Sequence, residues 1–229
     1  MAIAFDATSN TTYYVKGSYS FIHNCAGDNR ILIVGDSHYR GDTNIIVTGV
    51  TYNGVALTAI RDDARGNGHS SLWYLIAPAT GENAIVVTLS DDSVFCEGIG
   101  GAISYTGAKQ SGQPDAHNGE NSFSTDHSVT VTTIADNCWV VSNCYMIYFS
   151  PTCGNTQRWN EQSTYWGAGS DTNGPKTPAG AQVMGWTIPA NKNGSASAAS
   201  IAPAAGGQTI LDYERGTRGI NRGLERGVA

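Results

Sequence analysis

The chain has 229 residues, 40% hydrophobic and 14% charged, with 28 Gly, 7 Pro and a formal net charge of -6. The charged fraction lies well under a usual figure of about 25%, and Gly, Ser, Thr and Asn fill the gap, which excludes coiled coils and helical bundles. Apolar and aromatic residues spread along the whole chain exclude a disordered one.

The acidic balance argues against nucleic acid as a partner, since phosphate binding needs clustered Lys and Arg. No run of about 18 apolar residues is present, so no membrane-spanning helix is expected and no membrane partner. The opening MAIAFDATSNTTYYVKG lacks a basic n-region, an apolar h-region and a small-residue cleavage site. With Met1 as the natural start, the chain is not sent through the general secretory route. Cys25, Cys96, Cys138, Cys144 and Cys153 form no CxxC and no Cys/His pair with zinc spacing, so the expectation is buried free thiols and no metal or other cofactor.

Period-2 patterns recur from one end to the other. Ile31–Val34 reads as a central strand. In IIVTGVTYNGVALTAI, Asn53-Gly54 is the signature of a two-residue type I′ hairpin. Folding there sets Tyr52, Val55, Val50 and Leu57 on one apolar face and Thr51, Ala56, Gly49 and Thr58 on the other. Leu72–Ile76 and Ile85–Leu89 follow, joined by Ala-Pro-Ala-Thr-Gly-Glu. Phe95–Tyr105 is interrupted by Gly98, Gly100 and Gly101, which marks a bulge or a close backbone approach. Val129–Thr133, Cys138–Phe149 (apolar on both faces, hence buried on both), Val183–Ile188 and Ala196–Ile201 complete the set. Ser150–Gly180 is polar and Gly-rich and reads as a short strand inside long loops. These strands predict an all-β fold, an antiparallel β-sandwich of jelly-roll or immunoglobulin-like type over residues 1–203. Residues 204–229 end in RGTRGINRGLERG and read as an extended C-terminal arm, because Gly at that density opposes a helix.

The blocks VTYNGVALT, LWYLIAPATGENAIVVTLS and AISYTGAKQSGQPDA, with HNCAGDNRILIVG, TQRWN and MGWTI, are similar to a β-sandwich module recurrent in tailed-phage virion proteins and in bacterial surface or secreted proteins. The resemblance covers roughly residues 2–203 and implies a structural, display or adhesive role more than any chemistry.

Chemical motifs are sparse. Gly35-Asp36-Ser37 after a strand resembles the nucleophile block of Gly-Asp-Ser lipases and esterases, but the Asp-x-x-His that supplies their base is missing. It reads as a strand ending in a turn, and no catalytic residue is assigned. Any other triad is a matter of geometry rather than order. His23, before Cys25 at a strand end, reads as a hydrogen-bonded structural histidine. Asp62-Asp63 and Asp91-Asp92 read as acidic strand ends facing water rather than a calcium site. Arg40-Gly41-Asp42 reads as a solvated turn. Trp159, Tyr165 and Trp166 are candidates for an aromatic glycan platform; the competing reading has Trp159 and Trp166 plugging the sandwich edge.

In the arm, Arg215, Arg218, Arg222 and Arg226 each precede Gly. Residues 210–229 set these four against Asp212, Glu214 and Glu225, leaving the segment near +1 on a chain of -6. Spaced guanidinium groups on a flexible strand can pair with carboxylates of an acidic neighbour.

The resulting expectation is a non-enzymatic virion surface protein: a capsid decoration protein, head fibre or tail accessory component assembled in the host cytoplasm. Its partners would be other virion proteins, a major capsid or tail protein, and copies of itself in an oligomer or array. A secreted adhesin, a carbohydrate-binding module or an extracellular filament subunit is the alternative.

Overall fold

The computed structural model describes residues 1–15, 17–41, 45–92 and 95–205, and among these every regular element is a strand. The first half of the chain contributes β1 (Ala4–Asn10), β2 (Tyr14–Val15), β3 (Tyr19–Cys25), β4 (Ile31–Arg40), β5 (Val47–Tyr52), β6 (Val55–Ala56), β7 (Thr58–Arg65), β8 (Gly68–Ile76), β9 (Gly81–Leu89) and β10 (Cys96–Thr106). The second half contributes β11 (Ala116–Asp126), β12 (Val129–Thr132), β13 (Trp139–Ile147), β14 (Thr152–Cys153), β15 (Thr156–Gln162), β16 (Tyr165–Asp171), β17 (Ala181–Met184) and β18 (Trp186–Ile201).

Two large antiparallel sheets face each other. One has the order β1-β10-β4-β8-β7, the other β11-β18-β13-β16-β15. A smaller sheet, β3-β9-β5-β6, covers the outer face of the first, and β12-β17 covers the outer face of the second. The sandwich therefore has four layers and three cores. Ile31, Ile33, Leu72, Ile103, Val141 and Trp159 fill the central one, between the large sheets. Leu32, Val34, Val50, Tyr52, Ile85 and Val87 fill one outer core. Val131, Val140, Met146, Met184, Trp186 and Ala198 fill the other.

The two halves are repeats of one another. Their large sheets have the same strand order, with β3-β9 in the first half matched by β12-β17 in the second. Asp28-Asn29 leads into β4 and Asp136-Asn137 into β13, and both asparagines take the left-handed backbone conformation, φ 49° and 61°. Asp6 Oδ2 accepts hydrogen bonds from the Ser104 hydroxyl at 2.7 Å and the Ala26 amide at 2.9 Å. Asp115 Oδ2 accepts the equivalent pair from Ser200 at 3.2 Å and Ile134 at 2.6 Å. Contacts between the large sheets are reciprocal: β10 lies on β16 as β18 lies on β8, and β1 on β15 as β11 on β7. An approximate two-fold axis along the strands produces this pattern, as in an isologous dimer interface.

The hairpin at Asn53-Gly54 forms as expected, with φ 50° and 76°, Tyr52 opposite Val55 and Thr51 opposite Ala56. Tyr52, Val50 and Leu57 are buried, but Val55 at the tip is 54% exposed. The strand from Trp139 is buried on both faces, as its composition requires.

Ser150–Gly180 departs from expectation, since β15 and β16 pair over its middle and supply two of the second large sheet's five main strands. Gly167, Ala168 and Gly169 carry little strand propensity of their own. Their smallness is needed where the sheets meet: a Cβ on Gly167 would sit 2.9 Å from Ser37 Cβ, and one on Gly169 would overlap the Trp159 ring. Gly98, Gly100 and Gly101 likewise lie inside one continuous strand and serve close approach. Pro203 forms the last bridge of the described chain, with Ala108. Residues 206–229 of the expected arm, including Arg215, Arg218, Arg222 and Arg226, lie outside the described residues.

Candidate functional site

Alternation along β4 sends Ile31, Ile33, Ser37 and Tyr39 toward the other repeat and Leu32, Val34, Asp36 and His38 toward the small covering sheet. Near the end of the sandwich where β4 and β13 finish, called here the lower end, this second face carries charge instead of aliphatic groups. Asp36 is fully buried and takes three hydrogen bonds. Tyr19 donates to Oδ1 at 2.7 Å, Tyr14 donates to the same oxygen at 3.1 Å, and His38 Nδ1–H donates to Oδ2. His38 Nε2 lies 3.2 Å from the Ile45 carbonyl oxygen. Both ring nitrogens thus face acceptors, which only the imidazolium can satisfy.

Burial alone would lower the pKa of His38. The Asp36 carboxylate beside it, through charge and hydrogen bond, holds it above the ordinary histidine value. Tyr14 and Tyr19 are pushed well up by burial and by the same carboxylate, so both stay neutral donors.

The His38 ring stacks on His69 of β8, centroids 4.7 Å apart and planes 4° from parallel. His69 Nδ1–H donates to the Asp62 carboxylate at 2.9 Å, and its buried Nε2 has no hydrogen-bond partner among the described residues. The result is a row from Tyr14 and Tyr19 through Asp36, His38 and His69 to Asp62 at the sheet edge. Gly98 and Gly100 make room for it, because a Cβ at Gly98 would sit 2.8 Å from His38 Cβ and one at Gly100 2.5 Å from Tyr19 Oη.

The second repeat holds the control for this row. Cys144, Met146 and Trp166 occupy the places of Asp36, His38 and His69: Met146 pairs with Trp166 and Gly194 as His38 pairs with His69 and Gly98. Those three belong to an apolar core. The fold is therefore content with hydrophobic side chains at these positions, and apolar replacement of a buried ion pair is often neutral or stabilising. The ionic row is a feature of the first repeat and not a requirement of the architecture.

A second polar chain is also confined to the first repeat. Ser9 Oγ–H donates to His23 Nδ1 at 2.8 Å, His23 Nε2–H to Ser104 Oγ at 3.0 Å, and Ser104 Oγ–H to Asp6. Burial lowers the His23 pKa to about 4, so the ring is neutral at pH 7. Asp6 and Ser104 have counterparts in Asp115 and Ser200, while Val131 stands on β12 where His23 stands on β3. This is the hydrogen-bonded structural histidine that sequence position implies.

The lower end also gathers the most exposed aromatic rings among the described residues: Tyr13 (52%), Phe95 (44%), Phe123 (58%) and Tyr148 (59%). Exposed aliphatic groups are more scattered: Ile46 lies near the lower end, Ile22 and Val86 on the outer face of β3-β9, and Val183 on β17. Behind the exposed rings, Tyr39 and Tyr165 stack at 4.1 Å between centroids and Tyr145 tilts against Tyr165 at 5.8 Å, closing the central core. Lys192 Nζ lies 5.3 Å from the Tyr148 ring centre.

Trp159, Tyr165 and Trp166 do not share a face. Trp159 is buried in the central core between Gly101 and Gly169. Tyr165 turns toward Tyr39, whereas Trp166 packs into the outer core of the second repeat. Adjacent strand residues point to opposite sides, so Tyr165 and Trp166 cannot form one platform. Gly35-Asp36-Ser37 lies within β4 and not at a turn, because the pattern continues through His38 and Tyr39. Ser37 Oγ donates to the Cys144 carbonyl at 2.9 Å and lies beside Asn143, on the face opposite His38.

Asp91-Asp92 is an exposed pair just beyond β9, as expected, whereas Asp62-Asp63 lies inside β7 and departs from a solvated strand end. Asp63 is buried, bound by Arg61 at 2.6 Å and by the Ser197 hydroxyl at 2.6 Å. Asp92 accepts from the Ser18 amide at 2.9 Å. Arg40 of the Arg-Gly-Asp tripeptide ends β4, while Asp42 lies outside the described residues.

Sequence reasoning missed the ionic row. Its trace was present in Asp36-x-His38, which strand alternation puts on one face, and in Gly98-x-Gly100 on the neighbouring strand. Comparison with family models, with curated proteins and with solved structures gave no match, so the residues themselves carry the functional argument.

Proposed function

We propose that the protein is a non-enzymatic structural component of a larger assembly and presents its lower end to a partner. The observation that carries this reading is the concentration of Tyr13, Phe95, Phe123 and Tyr148 at that end, since exposed aromatic side chains are the usual anchors of protein interfaces. The resemblance of the VTYNGVALT and LWYLIAPATGENAIVVTLS blocks supports assigning the assembly to the virion surface of a tailed phage, put together in the host cytoplasm. In that setting the arm with Arg215, Arg218, Arg222 and Arg226 supplies a second attachment to a major capsid or tail protein, or to another copy of the chain.

Imaging of the native particle by cryo-electron microscopy tests the reading. The expected result is an array of copies whose lower ends or arms contact neighbours, with occupancy lost on Phe95→Ser and Tyr148→Ser or on truncation after Ala205. Copies found only as free monomers would overturn it. A saccharide partner is the second reading, favoured by Tyr148 with Lys192 over its ring; it predicts glycan binding that Tyr148→Ser abolishes.

A further inference from the structure

We propose that Asp36 and His38 form a pH-operated latch that holds the Ile45 segment onto the lower end and releases it as the pH rises. The inference rests on the reading of that end as the partner-facing surface, and its chemistry is confined to the first repeat.

The latch is the His38 Nε2–H bond to the Ile45 carbonyl, at 3.2 Å. Ile45 is buried in a small satellite core with Leu89 and Cys96. The next residue, Ile46, joins the opposite loop: its amide donates to Ser90 Oγ at 3.1 Å, and the Ser90 amide donates to the Ile46 carbonyl at 2.9 Å. Ile46 and Phe95 are both exposed there. Loss of one proton from His38 leaves the remaining one on Nδ1, where the Asp36 carboxylate binds it most strongly. The Nε2 lone pair then faces the Ile45 oxygen, and Asp36 keeps its charge in a buried site but loses the cation bonded to it. Both changes push the Ile45 segment away.

Every element around the ring contributes a group to the balance. Asp36 shares its strand, as does Arg40, two residues beyond His38 on the same side and opposite Cys96; His69 stacks from β8 and Asp62 lies beyond it on β7. Tyr14 on β2 and Tyr19 on β3 hold the far oxygen of Asp36, and the Cys96 thiol on β10, pushed up to about 12 by burial and by Asp36, stays protonated. The only cation that the bonding pattern of this row requires is His38. Its pKa is held above the ordinary value. A group of that kind stabilises the closed state below its unfolded pKa, and the stabilisation is lost as pH rises through the folded pKa. The apolar Cys144, Met146 and Trp166 at the same places in the second repeat show that sheet packing alone does not call for the arrangement.

Amide hydrogen exchange of the isolated protein, with histidine ring 15N spectra, tests the latch without any partner. At pH 6 both nitrogens of His38 are expected to carry protons. After correction for intrinsic exchange, protection at Ile46 and Ser90 should fall roughly tenfold per pH unit above the His38 titration point, the slope of one proton. The variant D36C/H38M/Y14F/Y19F, which brings in the apolar pair of the second repeat, should lose this slope. A neutral His38 ring at pH 6, protection that stays flat through the His38 titration, or a variant that keeps the slope would each overturn the proposal. Failure of the partner-facing reading would show instead in particle imaging, with the isolated protein's exchange unaffected.

Discussion

Trp159 is the point at which the two repeats are keyed together, and Gly101→Ala measures how tightly. Its indole lies between Gly101 on β10 of the first repeat and Gly169 on β16 of the second. A Cβ added to Gly101 would fall 2.5 Å from Trp159 Cζ2 and nearer still to Cε2 and Nε1. Carbon atoms normally keep about 3.5–4.0 Å apart, so the ring would have to move by roughly 1 Å or more. Gly169 blocks the opposite side, and the adjoining cavity of about 10 Å³ is at the lower limit for a single water and too small for a methyl group.

Overpacking of this kind costs about 1–3 kcal/mol, set against a gain of about 0.5–1 kcal/mol from replacing a glycine inside a strand. With the nearest ring atom only 2.0 Å from the added Cβ, the cost falls in the upper part of that range, about 2–3 kcal/mol, and the expected net loss is about 1–2.5 kcal/mol. Gly49→Ala is the control, since a Cβ there meets nothing within 4 Å and should stabilise by about 0.4–1 kcal/mol. Urea denaturation followed by tryptophan fluorescence reads both. Trp159→Leu combined with Gly101→Ala should cost less than the sum of the two single changes, by about 0.5–3 kcal/mol of coupling. Equal stability of Gly101→Ala and wild type, or strict additivity in the double variant, would refute the keyed-indole account.

Three further outcomes are expected. Because burial lowers the His23 pKa from 6.5 to about 4, the unfolded chain takes up that proton first; stability is retained above pH 6.5 and lost as pH falls toward 4, by about 3 kcal/mol. His23→Val, the residue of the second repeat, should remove this acid limb from denaturation curves recorded between pH 4 and 7. Asp6→Ala and Asp115→Ala should each cost about 2–3 kcal/mol, because each carboxylate joins a strand serine to a loop amide in the same way; a loss in one repeat only, seen in parallel melts, would contradict the equivalence. Of the five cysteines, Cys153 alone is partly exposed, so a thiol reagent should label one position in the native protein, identified by mass spectrometry, and all five in urea.

Much of the strand pattern could be read in the chain itself, and the reasons are local. Asn53-Gly54 accepts the left-handed conformation of a tight hairpin at both positions, and alternation in Val50-Thr51-Tyr52 leaves one way for that hairpin to face. Trp139–Ile147 is apolar at nearly every position, which only a strand covered on both sides tolerates. β15 and β16 could not be read so easily, because Gly167 and Gly169 are present for the sake of the Trp159 ring and of Ser37, neighbours that only folding brings close. The ionic row escaped for the same reason. Asp36 and His38 look like a polar strand end, and nothing adjacent in the chain shows that Tyr14, Tyr19, His69 and Ile45 close around them.

The amino-acid sequence by itself determined that this protein is all-β and antiparallel, since hairpin chemistry and period-2 patterning are properties of neighbouring residues. Only the tertiary structure decided that the chain is one unit made twice, with its large sheets related by an approximate two-fold axis. The repeats are marked by a few separated residues, Asp6 with Ser104 and Asp115 with Ser200, whose equivalence lies in shared hydrogen bonds rather than in shared stretches of sequence. The same comparison set the charged row of the first repeat against the apolar core of the second. Two side-chain solutions at one backbone position are distinguished by the neighbours they meet, and those neighbours come from five other strands.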